Sequence, residues 1–335
     1  MRAAFYRQQG PAKQVLELGD VEVGEPGEGE VRVRLFASGV NPSDVKTRAG
    51  LGGRRMGFDR VVPHSDGAGE IESVGRGIPH DRLGERVWIW NGQWNRAMGT
   101  AAEAIVLPSQ QAVRLPDATS FAEGACLGIP ATTAYHAVKL CGAGPGIRVL
   151  VTGGAGAVGF YAIQFAKARG ARVIASVSNS DKARIATEAG ADAAVNYRDA
   201  EYADRVRDWS GGSGVDAIVE LDLAANGAGY ARTLRPHGTV AVYGLSRDRV
   251  DLDARGLLRA STTLRFMFAY DLSAEDRRDA VEALNRAAGS GQLKHRIFAE
   301  LPLDRIAEAH ELVESGRAIG NVVLRPGFDE SKDHP

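Results

Sequence analysis

Residues 149–169, VLVTGGAGAVGFYAIQFAKAR, constrain the fold more than any other stretch. A short apolar, β-branched run (Val149, Leu150, Val151, Thr152) stops at Gly153, and an amphipathic helical pattern begins just after Gly156. Such a pattern spells strand, tight turn, helix. Within the turn Gly154, Gly156 and Gly159 have the spacing G-x-G-x-x-G. In a strand-turn-helix that spacing serves a tight bend, close backbone approach to a pyrophosphate and close helix–strand packing. The N–H groups at the new helix start, around Ala157 and Val158, then face the anion. The glycine pattern alone is also compatible with an empty turn; the flanking strand and helix favour the ligand.

Downstream of Arg169 the chain repeats the unit. ARVIASVS reads as a strand, SDKARIATEAG as a helix, DAAVNY as a strand, EYADRVRDWSGG as a helix and VDAIVEL as a strand. NGAGYARTLRPHG then reads as a helix and TVAVYG as a strand. Strands alternating with helices of this length require right-handed crossovers and a parallel sheet covered on both faces. The fold class expected is therefore α/β, with a Rossmann doubly wound parallel sheet. Before about residue 120 the pattern differs. Short alternating runs such as EVRVRLFASGV and GERVWIWNG, separated by Gly and Pro, read as β-strands and turns. FAEGACLGIPATTAYHAVKL reads as helical segments around Pro130. After about residue 262 come a helix, a strand, a second helix and the last strand NVVLRP, a tail too short for a comfortable domain and expected to return to the first one. DESKDHP reads as a loose end.

Composition narrows the function class. A formal charge of −1 and a pI near 6.7 supply no basic field for nucleic acid or an anionic membrane surface. No run approaches the ~20 apolar residues of a membrane span, and the first residues lack a signal-like apolar core. A cytoplasmic protein acting on small molecules is expected. Cys126 and Cys141 are the only cysteines, too few for a disulfide framework or a four-thiolate zinc lobe.

The end of the second strand of a Rossmann unit selects the nicotinamide cofactor. An acid there accepts from the ribose 2′-OH, while small polar and basic residues admit a 2′-phosphate. Here Ser178, Asn179 and Lys182 occupy the tip, with no acid at it; Asp181 nearby is the one feature against a 2′-phosphate, unless it points away as a first-turn acid. Ser178 and Asn179 can donate to phosphate oxygens, and Lys182 adds a positive charge. Asn179 or Ser180 can also cap the following helix. A Lys in a first helical turn opposes the helix dipole, which favours a ligand reason for Lys182 and makes NADPH the expected cofactor.

These segments, together with ASGVNPSDVKTRAG (37–50), GAGEIESVG (67–75), GTAAEAIVLP (99–108), IPATTAYHAV (129–138) and NYR (196–198), resemble the medium-chain dehydrogenase/reductase superfamily. Within it the likeness is to the zinc-free quinone oxidoreductase, or zeta-crystallin, group. The resemblance implies a GroES-like, mostly β catalytic domain over residues 1–122 and 264–335, a Rossmann domain over 123–263, a cleft between them, and a homodimer. Zinc-binding relatives hold the metal on Cys, His and Cys or Asp; those positions correspond here to Asn41, a place at or beside Ser65, and Ile129. No metal ligand set is therefore expected, and the neighbouring His64 reads as a surface or hydrogen-bonded histidine.

Without a Lewis acid the acceptor must already be electron-poor, which suits a quinone or an activated alkene. The resemblance places Asn41 and Thr132 beside the nicotinamide as catalytic candidates. From the residues alone, Asn41 is equally an Asx-turn residue before Pro42, Asp44 an anchor of an NPSD loop, and Thr132 a buried helix threonine. Further cofactor contacts implied are Tyr197, Gly244, Phe266, Met267, Phe268 and Asn321, the last replacing a family lysine. Tyr197 and the Phe266, Met267 and Phe268 run have plain packing alternatives. Trp88, Trp90 and Trp94 are core or cleft-rim residues, and His237 is a turn variant. The expected activity is NADPH:quinone oxidoreduction. Reduction of enones or enoyl compounds is the alternative, and a non-enzymatic cofactor-binding role, as in zeta-crystallin's lens function, is a third.

Overall fold

The computed structural model describes residues 1–53 and 55–327; the 329–335 segment lies outside them. The chain forms two compact units, Ala131–Ala280 and Met1–Pro130 with the chain from Val281 onward.

The first of these units is built on a six-stranded, all-parallel sheet. Its strands are β1 (Arg148–Val151), β2 (Arg172–Val177), β3 (Ala193–Asn196), β4 (Val215–Glu220), β5 (Leu234–Val242) and β6 (Thr263–Phe266). Their order across the sheet is β3-β2-β1-β4-β5-β6. That is the doubly wound dinucleotide-fold order, with its switch point between β1 and β4. β4 is buried at five of its six positions, because helices on both faces ask for apolar residues at successive positions rather than alternate ones. Helix α1 (Ala157–Ala168) follows β1, and α2 (Ser180–Glu188) follows β2.

Two local readings are corrected. Residues 226–238 do not form one helix: short turns of helix at Leu223–Asn226 and Tyr230–Thr233 flank a 3₁₀ turn at Gly227–Gly229, and β5 then begins at Leu234. Two glycines weaken the helix, and Pro236 cannot continue it. The RPHG segment instead bulges out of β5, between the pairings Val215 with Leu234 and Ala217 with Thr239. His237 sits in the bulge at φ 60°, a conformation that glycine adopts freely.

The other unit is mostly β. Glu30–Val40 is its central strand, pairing antiparallel with Asp66–Val74, Ala104–Pro108 and the last strand, Asn321–Arg325. Alternation is visible in the first half of the strand: Val31, Val33 and Leu35 point into the core, while Arg32 and Arg34 are less buried. The second local correction lies beyond this strand. The NPSD segment is no loop but the first turn of a helix, Pro42–Ala49, with Asn41 at its N-cap and Pro at the favoured first position. Trp88 is wholly buried, its indole N–H donating to Asn285 Oδ1 at 2.9 Å, whereas Trp90 and Trp94 are half-buried.

Candidate active site

In the parallel-sheet unit the glycine turn divides its labour differently from the expectation. The bend is made at Gly153, the only one of the turn's glycines with a left-handed φ, 63°. Gly154 is a packing glycine, since a Cβ there would come within 2.6 Å of Ala175 Cβ. Gly159 packs helix on strand as anticipated: a Cβ would stand 2.2 Å from the Gly153 carbonyl oxygen. At Gly156 a Cβ would meet only that carbonyl oxygen, at 3.2 Å, so its Cα faces open space.

The start of α1 is left bare. Gly156 occupies its N-cap without a side-chain bond, whereas Asn179 caps α2 through Lys182 N–H donating to Asn179 Oδ1 at 2.9 Å. Asp222 and Asp253 cap two other helices of this unit in the same way. An uncapped twelve-residue helix beyond a glycine turn at the switch point fits a pyrophosphate, with the N–H groups of Ala157 and Val158 in its first turn.

Beside it lies the tip of β2. Ser178 is buried, and Asn179, with Oδ1 committed to the cap, keeps its Nδ2 for donation outward. Lys182 has no ion-pair partner among the described residues. Tyr197 follows the end of β3, its N–H donating to Val177 O at 2.9 Å, so that its half-exposed ring stands next to this tip. Arg198 lies over that ring, 5.8 Å from its centroid. The sequence reading missed this second cation, although it ends the quoted NYR segment.

Gly244 stands past the end of β5, where a Cβ would fall 1.9 Å from the Leu221 carbonyl oxygen; its smallness serves that packing. Phe266 ends β6 at 62% exposure, Met267 N–H donates to Val242 O at 3.0 Å, and Phe268 is also exposed. Thr132 is buried at the head of helix Thr132–Leu140, just after a π turn that Pro130, lacking an N–H, accompanies.

In the β unit positions 41 and 129 meet on a carboxylate, that of Asp66 beside Ser65. Asp66 is fully buried, and its Oδ2 accepts from Asn41 Nδ2 at 2.8 Å and from Ile129 N–H at 2.9 Å. The Asp44 carboxylate accepts the Asn41 backbone N–H at 2.8 Å. Asn41 is thus held at both its amides, with one side-chain N–H uncommitted by these bonds. Gly128 makes the approach possible, since a Cβ there would stand 2.1 Å from Asp66 Oδ1. Asp66 had no sequence signal beyond standing beside Ser65. Asn321 donates from Nδ2 to Arg296 O at 3.1 Å and from its backbone N–H to the same oxygen at 2.8 Å, anchoring the last strand.

His64 is hydrogen-bonded and buried rather than superficial. It lies at φ 79°, with Nδ1 2.9 Å from Ser38 Oγ and Nε2 2.9 Å from His310 Nε2. Burial lowers its pKa to about 3 and drives that of His310 well below the ordinary value, so both rings are neutral. The proton order is then fixed. The Asp66 carbonyl only accepts, so Thr100, 2.5 Å away, donates to it. Ser38 must donate to Thr100 across 2.8 Å, and His64 Nδ1–H to Ser38. His64 Nε2 is consequently bare and accepts His310 Nε2–H. Among the described residues no group of three or more His, Cys, Asp and Glu side chains could hold a metal ion.

A doubly wound sheet with a bare helix start at its switch point, carried with a β unit that supplies a buried polar cluster, defines a dinucleotide-dependent oxidoreductase. Family models agree: residues 27–117 match the alcohol dehydrogenase GroES-like domain, and 157–286 the zinc-binding dehydrogenase model. A quinone oxidoreductase from Rattus norvegicus is 30% identical over 317 residues, 93% of this chain and 94% of the relative. A 2-haloacrylate reductase from a Burkholderia species is 29% identical, covering 97% and 99%. Among solved structures, one described as an NAD-dependent alcohol dehydrogenase matches with TM-score 0.90 at 32% identity, covering 98% of this chain and all of that one. A mycobacterial protein complexed with NADPH matches with TM-score 0.87 at 29% identity, covering 97% and 100%. The chain belongs to the medium-chain dehydrogenase/reductase superfamily, in its quinone oxidoreductase group, and is an enzyme.

Proposed function

We propose that this enzyme is an NADPH-dependent, zinc-independent quinone oxidoreductase of the cytoplasm. The observation that carries the reading is the carboxyl edge of the parallel sheet. The bare start of α1 suits a pyrophosphate, and Ser178, Asn179 Nδ2, Lys182 and Arg198 lie at or beside the tip of β2, whose last residues carry no acid, while Asp181 belongs to the first turn of α2. The bound cofactor supplies hydride chemistry. The chain binds and orients. Ala157 and Val158 N–H groups meet the pyrophosphate, Lys182 and Arg198 meet the 2′-phosphate, and Tyr197 offers a face to the adenine side. Gly244, Phe266, Met267 and Phe268 surround the nicotinamide half, with Asn321 a marginal contributor. Thr132 and Asn41 are the catalytic candidates. Asn41, held by Asp66, offers one N–H to an oxygen of the acceptor.

An amide and a serine in place of thiolate and imidazole support zinc independence. The buried cysteines, which form no disulfide among the described residues, suit a reducing compartment. Among the described residues β6 is an edge strand paired with β5 alone, and Leu258 near it is exposed at 79%. A second copy pairing there about a two-fold axis gives the homodimer; light scattering should return twice the chain mass.

The test is NADPH oxidation at 340 nm by chelator-treated protein with a simple quinone, an α,β-unsaturated ketone and 2-chloroacrylate, with NADH in parallel. Quinone turnover with NADH poorer by about tenfold or more is expected. Turnover of the alkenes alone moves the enzyme to the alternative reading, enone or enoyl reduction, which the haloacrylate reductase relative favours. Equal use of NADH sinks the 2′-phosphate assignment.

A further inference from the structure

Glu220, the last residue of β4, is an acid that neither the glycine turn nor the β2 tip explains. It is wholly buried. Oε1 accepts from Thr152 Oγ1 at 3.1 Å, Asp222 N–H at 2.6 Å and Asn226 Nδ2 at 2.8 Å, and Oε2 from Tyr230 OH at 3.0 Å. Among the described residues no Lys, Arg or His stands within ion-pair distance of it. Burial raises its pKa, and the four donors work in the opposite direction. A buried acid with donors and no cation is rare, because a solitary buried charge is costly. Asp216 of the same unit, by contrast, is paired with Arg148 and Arg235.

Its place is informative. The residue after it, Leu221, is partly exposed beside Gly153 and Gly244, at the carboxyl edge where a doubly wound sheet binds its ligand. β1 to β3 carry the pyrophosphate and the adenosine end, which leaves β4 to β6 for the other mononucleotide half.

We propose that the missing counter-charge of Glu220 is the oxidised nicotinamide ring: the carboxylate stabilises the positive charge that hydride transfer creates, and so tunes the bound cofactor toward giving up hydride. Two electrons and a proton leave C4 as hydride for the acceptor, which is reduced, while the ring is oxidised and gains one positive charge. The reduced acceptor takes its further proton from water. A preoriented charge at the place where charge develops acts on the transition state and on the product together. The inference rests on the nicotinamide reading above.

The experiment is equilibrium binding of NADP⁺ and NADPH, followed by intrinsic fluorescence and calorimetry, on wild type and Glu220→Gln. The amide can keep an oxygen for the three Oε1 donors while removing the charge. The Kd for NADP⁺ should rise about tenfold relative to that for NADPH, a difference of ~1.4 kcal/mol. Equal weakening of both forms, or an unchanged ratio, overturns the proposal and leaves Glu220 as a tie for the Leu221–Asp222 segment. Should the amide variant not fold by circular dichroism, Glu220→Met with Tyr230→Phe removes charge and hydroxyl together, and the same ratio decides. Wild type that binds neither nucleotide rejects the nicotinamide reading itself, before Glu220 is in question.

Discussion

The two units build their chemistry from different materials. In the parallel-sheet unit the proposed ligand surface is mainly backbone: the bend at Gly153, the bare N–H groups of α1 and the open Cα of Gly156. In the β unit the polar cluster is made of buried side chains from distant segments: Asn41, Asp66, Thr100, Ser38, His64 and His310. A backbone site is indifferent to most side chains but intolerant of a Cβ. The side-chain cluster tolerates volume changes at its edge but not the loss of one acceptor, because every buried donor it serves is then orphaned.

Deleting such an acceptor should have the largest effect. Asp66→Ala leaves Asn41 Nδ2 and Ile129 N–H without their shared acceptor, at about 1–3 kcal/mol each. Urea unfolding should therefore show a loss of several kcal/mol, while Asp66→Asn, which can present one oxygen to both donors, should lose markedly less. Equal losses in the two variants would mean that the acceptor is not what matters. On the other side of the comparison, Gly159→Ala forces a Cβ against the Gly153 carbonyl, and overpacking of this kind costs about 1–3 kcal/mol. NADPH affinity should collapse with it. Gly156→Ala, which meets only an oxygen at 3.2 Å, should fold nearly as well as wild type yet bind NADPH poorly. A Gly156→Ala protein with full affinity contradicts a pyrophosphate at α1.

The histidine pair sharpens the contrast through pH. Both imidazoles are depressed by burial, His64 to about 3. Below about pH 6.5 the unfolded chain binds protons that the folded chain refuses, so stability is held above that pH and lost as pH falls from it toward 3. Between pH 6.5 and 5.5 the His64 ring should cost about 1 kcal/mol, with His310 adding in the same direction. His64→Gly combined with His310→Leu should flatten the stability profile in that window. Glycine also suits the φ of 79°. An unchanged slope would show that the acid sensitivity arises elsewhere.

The same difference decides what could be read in the sequence. A backbone site is written in consecutive residues, so the glycine turn, the alternation of strand and helix and the absence of an acid at Val177, Ser178 and Asn179 were all legible, and the strand order 3-2-1-4-5-6 follows from the family of folds they imply. Even there, the bend fell one residue earlier than the motif suggests, because only coordinates reveal which glycine takes the left-handed φ. The β-unit cluster spans positions 38 to 310, and nothing local in the sequence announces that His64 will meet His310 or that Asp66 will gather positions 41 and 129. The NPSD helix was missed for a related reason. Asn-Pro suggests a turn, and the Asp44 carboxylate closing on the Asn41 N–H makes that turn a helix start.

The smallest expected effect tests a residue where both materials meet. Asn179 uses Oδ1 to cap α2 and, in the proposed reading, Nδ2 to hold the 2′-phosphate. Asn179→Ala should lose about 1 kcal/mol of stability for the cap, together with part of the preference for NADPH over NADH. Asn179→Asp separates the two roles. Aspartate caps as well as asparagine, so stability should hold, yet its carboxylate cannot donate and repels phosphate, so NADPH affinity should fall while NADH binding is kept. If the aspartate variant binds NADPH as wild type does, Asn179 is a cap alone, and the 2′-phosphate must rest on Lys182 and Arg198.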